Sequence, residues 1–265
     1  MISMKSNGEL TESELYELFE IKYGDPSTTG WAPRRRLKYG YYTPGDIYEA
    51  TIRKIVNSDT KWIDVGGGSA LFPQNKPLSK ILADKCKKLV AIDPSENILE
   101  NPYAHEKVMC MFEDFQTEEK FDLATFRMVA EHISNPEAVL SKLYELLNPN
   151  GIVVIYTINK YSPIPIITYL TPFALHNRVK KFFWGTEERD TFPVEYKMNT
   201  RKELNKLFRE HRFNEIAFLY LDDLSTFYRF KIPNLLELWA WKIYKTIGIR
   251  YPEYNLLGVY RRKDE

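Results

Sequence analysis

Three acidic positions and a run of glycines are the residues of this chain best suited to chemistry. Residues 62–70 read WIDVGGGSA, an apolar run carrying Asp64 and followed at once by Gly66, Gly67 and Gly68. Glycines in such a turn reach positive φ and let the backbone approach a ligand with no Cβ in the way. A helix entered from that turn offers unpaired N–H groups and its positive dipole end, which suits an anionic group. Asp93, in LVAIDPS, follows the next apolar run with Pro94 beside it. A carboxylate there is suited to accepting from both hydroxyls of a ribose. Glu113 and Asp114 follow the third run. One of them can receive an exocyclic amino group while Phe112 or Phe115 packs on the ring.

A dinucleotide fingerprint needs G-x-G-x-x-G and an acid about 20 residues further on. Here Leu71 occupies the third glycine's place, and Asp93 lies 29 positions after Asp64 (93 − 64). Asp64 would also crowd a pyrophosphate. A cationic sulfonium with an amino-acid tail tolerates that acid better, and S-adenosylmethionine carries that charge pattern. Taken singly, each acid reads as a helix cap or a solvated loop residue. Acids at three successive strand ends read together as a cofactor site.

The elements that must position these groups follow from periodicity. Short apolar runs at 61–65, 88–92, 107–112, 121–126 and 151–158 read as strands, with helical patterns between several of them. That alternation implies βαβ units and a parallel sheet in an α/β fold. The clearest helix is 136–147, with Asn135 as cap, Pro136 at its first position and an apolar stripe from Val139 to Leu147. It stops at Asn148-Pro149-Asn150-Gly151. Before the sheet, 9–23 reads as an amphipathic helix with a Thr11/Glu14 capping box and Gly24 as its stop. Residues 25–45 read as a loop, and a second helix is predicted from about Asp46 to Val56. After the fifth run, four prolines punctuate 159–199. A capped helix is predicted at 200–210 and a strand at 213–220. A helix at 232–247 places Ile232, Leu235, Leu236, Trp239 and Ile243 on one face, and a last strand is predicted at about 254–261.

With these residues in place, a resemblance is plain. WIDVGGGSA resembles motif I of class I S-adenosylmethionine-dependent methyltransferases, of the small-molecule, type 11/12-like kind. AIDPS resembles their acidic motif after the second strand. FDLATFRMVAEHISNP resembles the fourth-strand motif, including Glu131, His132 and Pro136. LNPNGIVVIYT resembles the turn and fifth strand. Ala70 stands where the third motif glycine is usual, and Asn150 where a glycine precedes the fifth strand. The stretches FFWGTEERDTFPVEYKMNT and YPEYNLLGVYRR resemble a bacterial subgroup whose acceptor the sequence does not name. The resemblance implies a Rossmann-like, seven-stranded, mostly parallel sheet of order 3-2-1-4-5-7-6 with the last strand antiparallel. It also implies a helical arm or lid at 1–56, a cofactor domain at 57–265 and an acceptor cap inserted at about 159–199. The cofactor set is then Asp64, Gly66, Gly67, Gly68, Asp93, Pro94, Glu113, Asp114 and Arg127, with S-adenosylhomocysteine as product.

Methyl transfer of this kind is in-line displacement at an already activated methyl, so alignment and desolvation supply most of the acceleration. A base is needed only for a protonated acceptor. His132, just beyond the fourth strand, is the candidate, against the alternative that it caps a helix or braces the sheet. Arg127 suits the cofactor's carboxylate or an anionic acceptor. Tyr41, His176 and Tyr196 are the candidate acceptor contacts, and the tyrosines near Tyr41 suit a water-excluding lid.

Composition bounds the partners. With 37 Lys and Arg against 36 Asp and Glu, the net charge is +1, which offers no general field for nucleic acid. The N/D-P-P-Y/F signature is absent, since 126–129 reads Phe-Arg-Met-Val. Cys86 and Cys110 form no metal-binding spacing. A start without an apolar signal core and the lack of a spanning apolar stretch lead to the expectation of a cytoplasmic protein. The apolar, then basic run at 160–184 and the 232–247 helix, rich in Trp and Leu, suggest a hydrophobic or aromatic small-molecule acceptor. A peripheral membrane contact and a homodimer interface stay open for the same segments. Two other readings stay open beside the enzyme: a non-catalytic binding or regulatory protein of this fold, and, less favoured, an NAD-dependent oxidoreductase.

Overall fold

The computed structural model describes residues 10–163, 193–249, 251 and 253–264. The chain opens with helices α1 (Glu12–Tyr23), α2 (Trp31–Tyr39) and α3 (Pro44–Ile55). The alternating unit follows as β1 (Lys61–Val65), α4 (Lys76–Lys85), β2 (Lys88–Ile92), β3 (Glu106–Val108), β4 (Phe121–Arg127), α5 (Pro136–Leu146) and β5 (Leu147–Ile158). Beyond the insertion come α6 (Arg201–Glu210), β6 (Phe213–Asp222), α7 (Lys231–Thr246) and β7 (Glu253–Arg262). Strand order is β3-β2-β1-β4-β5-β7-β6. The first five strands pair in parallel, and β7 runs antiparallel to both β5 and β6. Fold class and strand order are those the sequence predicts.

The central strands are buried on both faces, which is why they read as continuous apolar runs. Successive residues still diverge. Trp62, Leu89, Leu123 and Val154 join α1, α3 and α4 in one core. Ile63, Val90, Ala124 and Val153 join α5 and α6 in the other. The helical arm therefore shares its core with one face of the sheet. A buried ion cluster reinforces that seam. Lys22 Nζ lies 2.8 Å from Asp46 Oδ1 and 2.9 Å from Glu49 Oε1. Asn75, the cap of α4, donates to Glu49 Oε2 at 2.8 Å.

The structure corrects the sequence reading of several elements. Residues 25–45 are not one loop, because α2 occupies 31–39. Its sequence, WAPRRRLKY, buries no residue, so no apolar stripe advertises it; Gly30 and the left-handed Gly40 (φ 69°) bound it. The third strand is shorter than 107–112, ending at Val108, and Phe112–Asp114 form a single 3-10 turn. Elsewhere the capping boxes of α1 and α3 are complete, and Asn135 caps α5 through Ala138 N–H. The turn predicted at 148–151 instead lies inside β5, where the register with β4 shifts between Leu147 and Ile152 and Asn150 takes φ 64°, a left-handed conformation that asparagine adopts more readily than most side chains. Most of the 159–199 insertion, His176 included, lies outside the described residues.

Candidate active site

The glycine turn is stitched to the end of β2. Gly66 N–H and Gly67 N–H both donate to Ile92 O, at 2.8 and 3.1 Å. Gly68 N–H donates to Asp93 Oδ2 at 3.0 Å, and Ser95 N–H to Oδ1 at 2.8 Å. Asp93 is thus fixed by one backbone donor on each oxygen, with acceptor capacity left on both. Asn101 holds the turn from below, its Nδ2 donating to Gly67 O and Gly68 O at 3.2 Å each.

The three glycines differ in what a side chain would meet. A Cβ on Gly66 would lie 2.2 Å from Val129 Cγ2, and one on Gly67 2.9 Å from Ala91 Cβ. A Cβ on Gly68, at φ 43°, would meet nothing within 4 Å. The first two glycines let Val129 and Ala91 approach the turn; the third leaves an open backbone cradle.

Beside this turn lies a cavity of about 420 Å³. Gly66, Asp93, Pro94 and Glu113 line it together with Phe112, and His132 stands on its wall. Of the sequence-predicted cofactor set, Gly66, Asp93, Pro94 and Glu113 share this space, while Asp64, Gly67, Gly68 and Arg127 are not on its wall. Phe112 is braced edge-on by Phe126, with ring centroids 5.8 Å apart. Asp114 is exposed and Phe115 is buried, and neither is on the cavity wall.

Asp64 lies deeper, buried beneath the turn. Thr125 Oγ1 donates to Asp64 Oδ1 at 2.6 Å, and Trp62 Nε1 donates to Thr125 Oγ1 at 2.7 Å. Burial pushes the Asp64 carboxyl up to about 7, against the lowering pull of Thr125 and Arg127. Arg127 ends β4, half-buried, and its charge also acts on Glu131, Tyr48 and Tyr156. Met128 follows at φ 56°, an uncommon conformation for a non-glycine residue, and lines the cavity.

Glu131 and His132 clamp the chain returning from the insertion. Glu131 O accepts from Glu195 N–H and Tyr196 N–H at 2.7 and 3.2 Å. Its buried carboxylate accepts from Thr157 Oγ1 at 2.7 Å, and burial raises its pKa. His132 Nδ1 lies 2.9 Å from Pro193 O. A carbonyl only accepts, so Nδ1 carries the proton in this contact and Nε2 is the basic nitrogen of the neutral ring.

The remaining sequence-predicted residues sit elsewhere. Tyr196, at φ 52°, packs beside Glu131 and is not on the cavity wall. Tyr41 is buried away from the cavity. Its hydroxyl donates to Asp222 O and accepts from Leu224 N–H, and its ring meets Trp241 edge-on. None of Trp31, Tyr39, Tyr41 or Tyr42 lines the cavity. Sequence reasoning missed Thr125, Thr157 and Asn101 as supports. The two threonines were visible as hydroxyls inside otherwise apolar strands, Thr125 in register with Asp64. Asn101 carried no signal, since one Asn in a polar connection is ordinary.

The 3-2-1-4-5-7-6 sheet, with a glycine turn and acids at the carboxyl ends of adjacent strands, defines a class I methyltransferase, whose methyl donor is S-adenosylmethionine. The chain belongs to the methyltransferase domain family, whose model matches residues 39–217. It is 23% identical over 180 residues to a ubiquinone biosynthesis O-methyltransferase of Bradyrhizobium sp. (strain ORS 278), covering 60% of this chain and 69% of that one. Among solved structures, the [4+2]-cyclase SpnF aligns with a TM-score of 0.51 at 13% identity, over 91% of this chain and 86% of its own. The N-methyltransferase NodS of Bradyrhizobium japonicum WM9, in complex with S-adenosyl-L-homocysteine, aligns with a TM-score of 0.48 at 14% identity, over 95% and 100%. Likenesses at such identity concern the fold, and fold and reaction are separable. No helix among the described residues is long and apolar enough to cross a membrane.

The residues present fit that cofactor. Asp93 keeps acceptor capacity for vicinal hydroxyls, and the cradle at Gly68 stays open to a ligand. Phe112 and Glu113 offer an apolar ring face and an acceptor on the same wall. Asp64 is a buried carboxyl that a nearby cation would ionise.

Proposed function

We propose that this protein transfers a methyl group from S-adenosylmethionine to an oxygen or nitrogen of a small hydrophobic or aromatic metabolite, in the cytoplasm. The observation that carries the reading is one cavity reaching from Asp93 and Glu113 to His132. The bound cofactor supplies an activated methyl on a sulfonium. Asp93 accepts the ribose hydroxyls, Phe112 packs on the adenine, and Glu113 receives its amino group. Asp64 and Arg127 complement the ammonium and carboxylate of the amino-acid tail. His132 takes the acceptor's proton at Nε2, its ring held by Pro193 O. Apolar walls from Phe126, Met128 and Ile133 exclude water and favour an apolar acceptor. The O-methyltransferase relative supports oxygen as the acceptor atom.

Calorimetry with S-adenosylhomocysteine and NAD tests the cofactor, and isotope transfer from labelled S-adenosylmethionine to phenols, alcohols and amines tests the reaction. Binding of S-adenosylhomocysteine with a labelled product supports the proposal. Binding of NAD instead points to an oxidoreductase. Cofactor binding with no labelled product from any acceptor class leaves the regulatory reading.

A further inference from the structure

The C-terminal helix α7 carries its apolar stripe on the outside. Ile232, Leu236 and Trp239 are 72%, 60% and 58% exposed, and Leu235, Ile243 and Ile247 are exposed along the same side. The spacing 232, 235/236, 239, 243 is one helical face. Residues 227–249 hold 11 of the 19 exposed large apolar side chains among the described residues, so the exposure is concentrated in one place. The opposite side of α7 is the packed one. Leu238 and Trp241 are buried with Tyr41 and Leu224, and Trp241 Nε1 donates to Asp222 Oδ2 at 2.7 Å.

Charge around this face has one sign. Arg229, Lys231, Lys242 and Lys245 are exposed on or beside α7. Its one acid, Glu237, is half-buried on the other side, where Tyr251 OH donates to it. Helix α2 packs alongside α7 and adds Arg34, Arg35 and Lys38, while Arg36 turns toward the Tyr23 ring and the Asp46 carboxylate. Arg35 donates to Lys231 O, and Lys242 Nζ lies 5.6 Å from the centre of the Tyr39 ring. In a chain of net charge +1, this is a segregated basic patch around an apolar stripe.

We infer that α7 and α2 together form a docking face for an anionic lipid surface, with α7 lying in the plane of the interface. Apolar side chains including an exposed Trp enter the headgroup boundary, and the flanking cations meet the lipid phosphates. A second copy fits less well. A two-fold contact on this face sets the same basic borders against each other. A lipid surface complements both the stripe and its charge. The inference stands apart from the methyl-transfer reading, because it uses no cavity residue.

The test is sedimentation of the full chain with vesicles of phosphatidylcholine alone and of phosphatidylcholine mixed with phosphatidylglycerol. Light scattering on the free protein reports its oligomeric state. The expected result is binding to the anionic vesicles only, weakened by salt. L236S/W239S and K231E/K242E each reduce it at least about tenfold. Far-ultraviolet dichroism and S-adenosylhomocysteine affinity unchanged in both variants show that the fold and cofactor site are intact. Equal binding of the wild type and both variants overturns the inference. So does a dimer that L236S/W239S dissociates while the wild type ignores anionic vesicles.

Discussion

Thr125 and Asp64 face each other across the β1–β4 pairing, and the hydroxyl donates to the buried carboxylate at 2.6 Å. The same oxygen receives Trp62 Nε1–H at 2.7 Å. Replacing Thr125 by Val removes the donor to Asp64 and the acceptor for Trp62 together. Leaving such groups buried and unpaired costs about 1–3 kcal/mol. Denaturant unfolding of Thr125→Val is expected to show that loss. The Asp64 pKa rises further in the variant, because Thr125 acts to lower it.

Asp64 also sets a pH dependence. Its carboxyl titrates near 7 in the folded chain against about 3.9 unfolded. The folded state therefore binds the proton more tightly, and ionised Asp64 destabilises the ligand-free protein above pH 7. That cost fades as pH falls from about 7 to about 4. Glu237, also pushed up to about 7 by burial, contributes in the same sense. The clean readout is the difference between wild type and Asp64→Asn. The variant is more stable at pH 8, and that advantage shrinks as pH falls and is gone by about pH 4. A difference that does not change with pH refutes the assignment. Affinity for S-adenosylhomocysteine rises with pH through 7 in the wild type, since the ionised carboxylate is the form that holds an ammonium.

The glycines separate folding from binding. Gly66→Ala drives a methyl into Val129 and forces a residue at φ 72°. It is expected to lower the melting temperature and expression. Gly68→Ala meets no protein atom, and its cost to folding is limited to about 1–2 kcal/mol of left-handed strain. Its methyl enters the ligand's space, so S-adenosylhomocysteine affinity falls about tenfold or more. Thermal shift with and without the ligand distinguishes the two cases.

His132→Gln tests the base. A general base contributes about 10²–10⁴-fold, so turnover falls in that range while S-adenosylhomocysteine affinity holds. If turnover is unaltered, His132 only braces the returning chain through Pro193.

Lys22→Met probes the buried ion cluster. It strands the Asp46 and Glu49 carboxylates in the α1–α3 seam. Breaking such a group costs about 3–5 kcal/mol. For a chain of this size that is roughly 10 °C in melting temperature. Asp46→Asn in the same chain returns part of the loss.

Where the sequence was readable, burial on both sides made it so. The strands around Trp62, Leu89 and Leu123 needed no partner to be recognised, because any parallel strand between two helical layers is apolar throughout. Asp64, Gly68 and Asp93 were readable because they interrupt that apolar background with polar or side-chain-free residues at strand ends. Helix α2 was not, because it docks through arginines and a tryptophan with no apolar period. The apolar face of α7 was legible, but its direction was not. Periodicity shows that a helix has an apolar side, and it does not say which side the protein occupies. Tyr41 drew notice by its type, yet its hydroxyl binds the backbone at Asp222 and Leu224.

Strand β7 lies between β5 and β6 although it is later in sequence than either. Among the described strands, β6 pairs with β7 alone. During synthesis, then, the five parallel strands can assemble while β6 waits as an unsatisfied ribbon. Only the arrival of Leu256, Leu257, Val259 and Tyr260 closes the sheet. The order of emergence from the ribosome thus makes the last strand the latch of the whole domain. A stop codon just before it would cost far more than the strand's own length suggests.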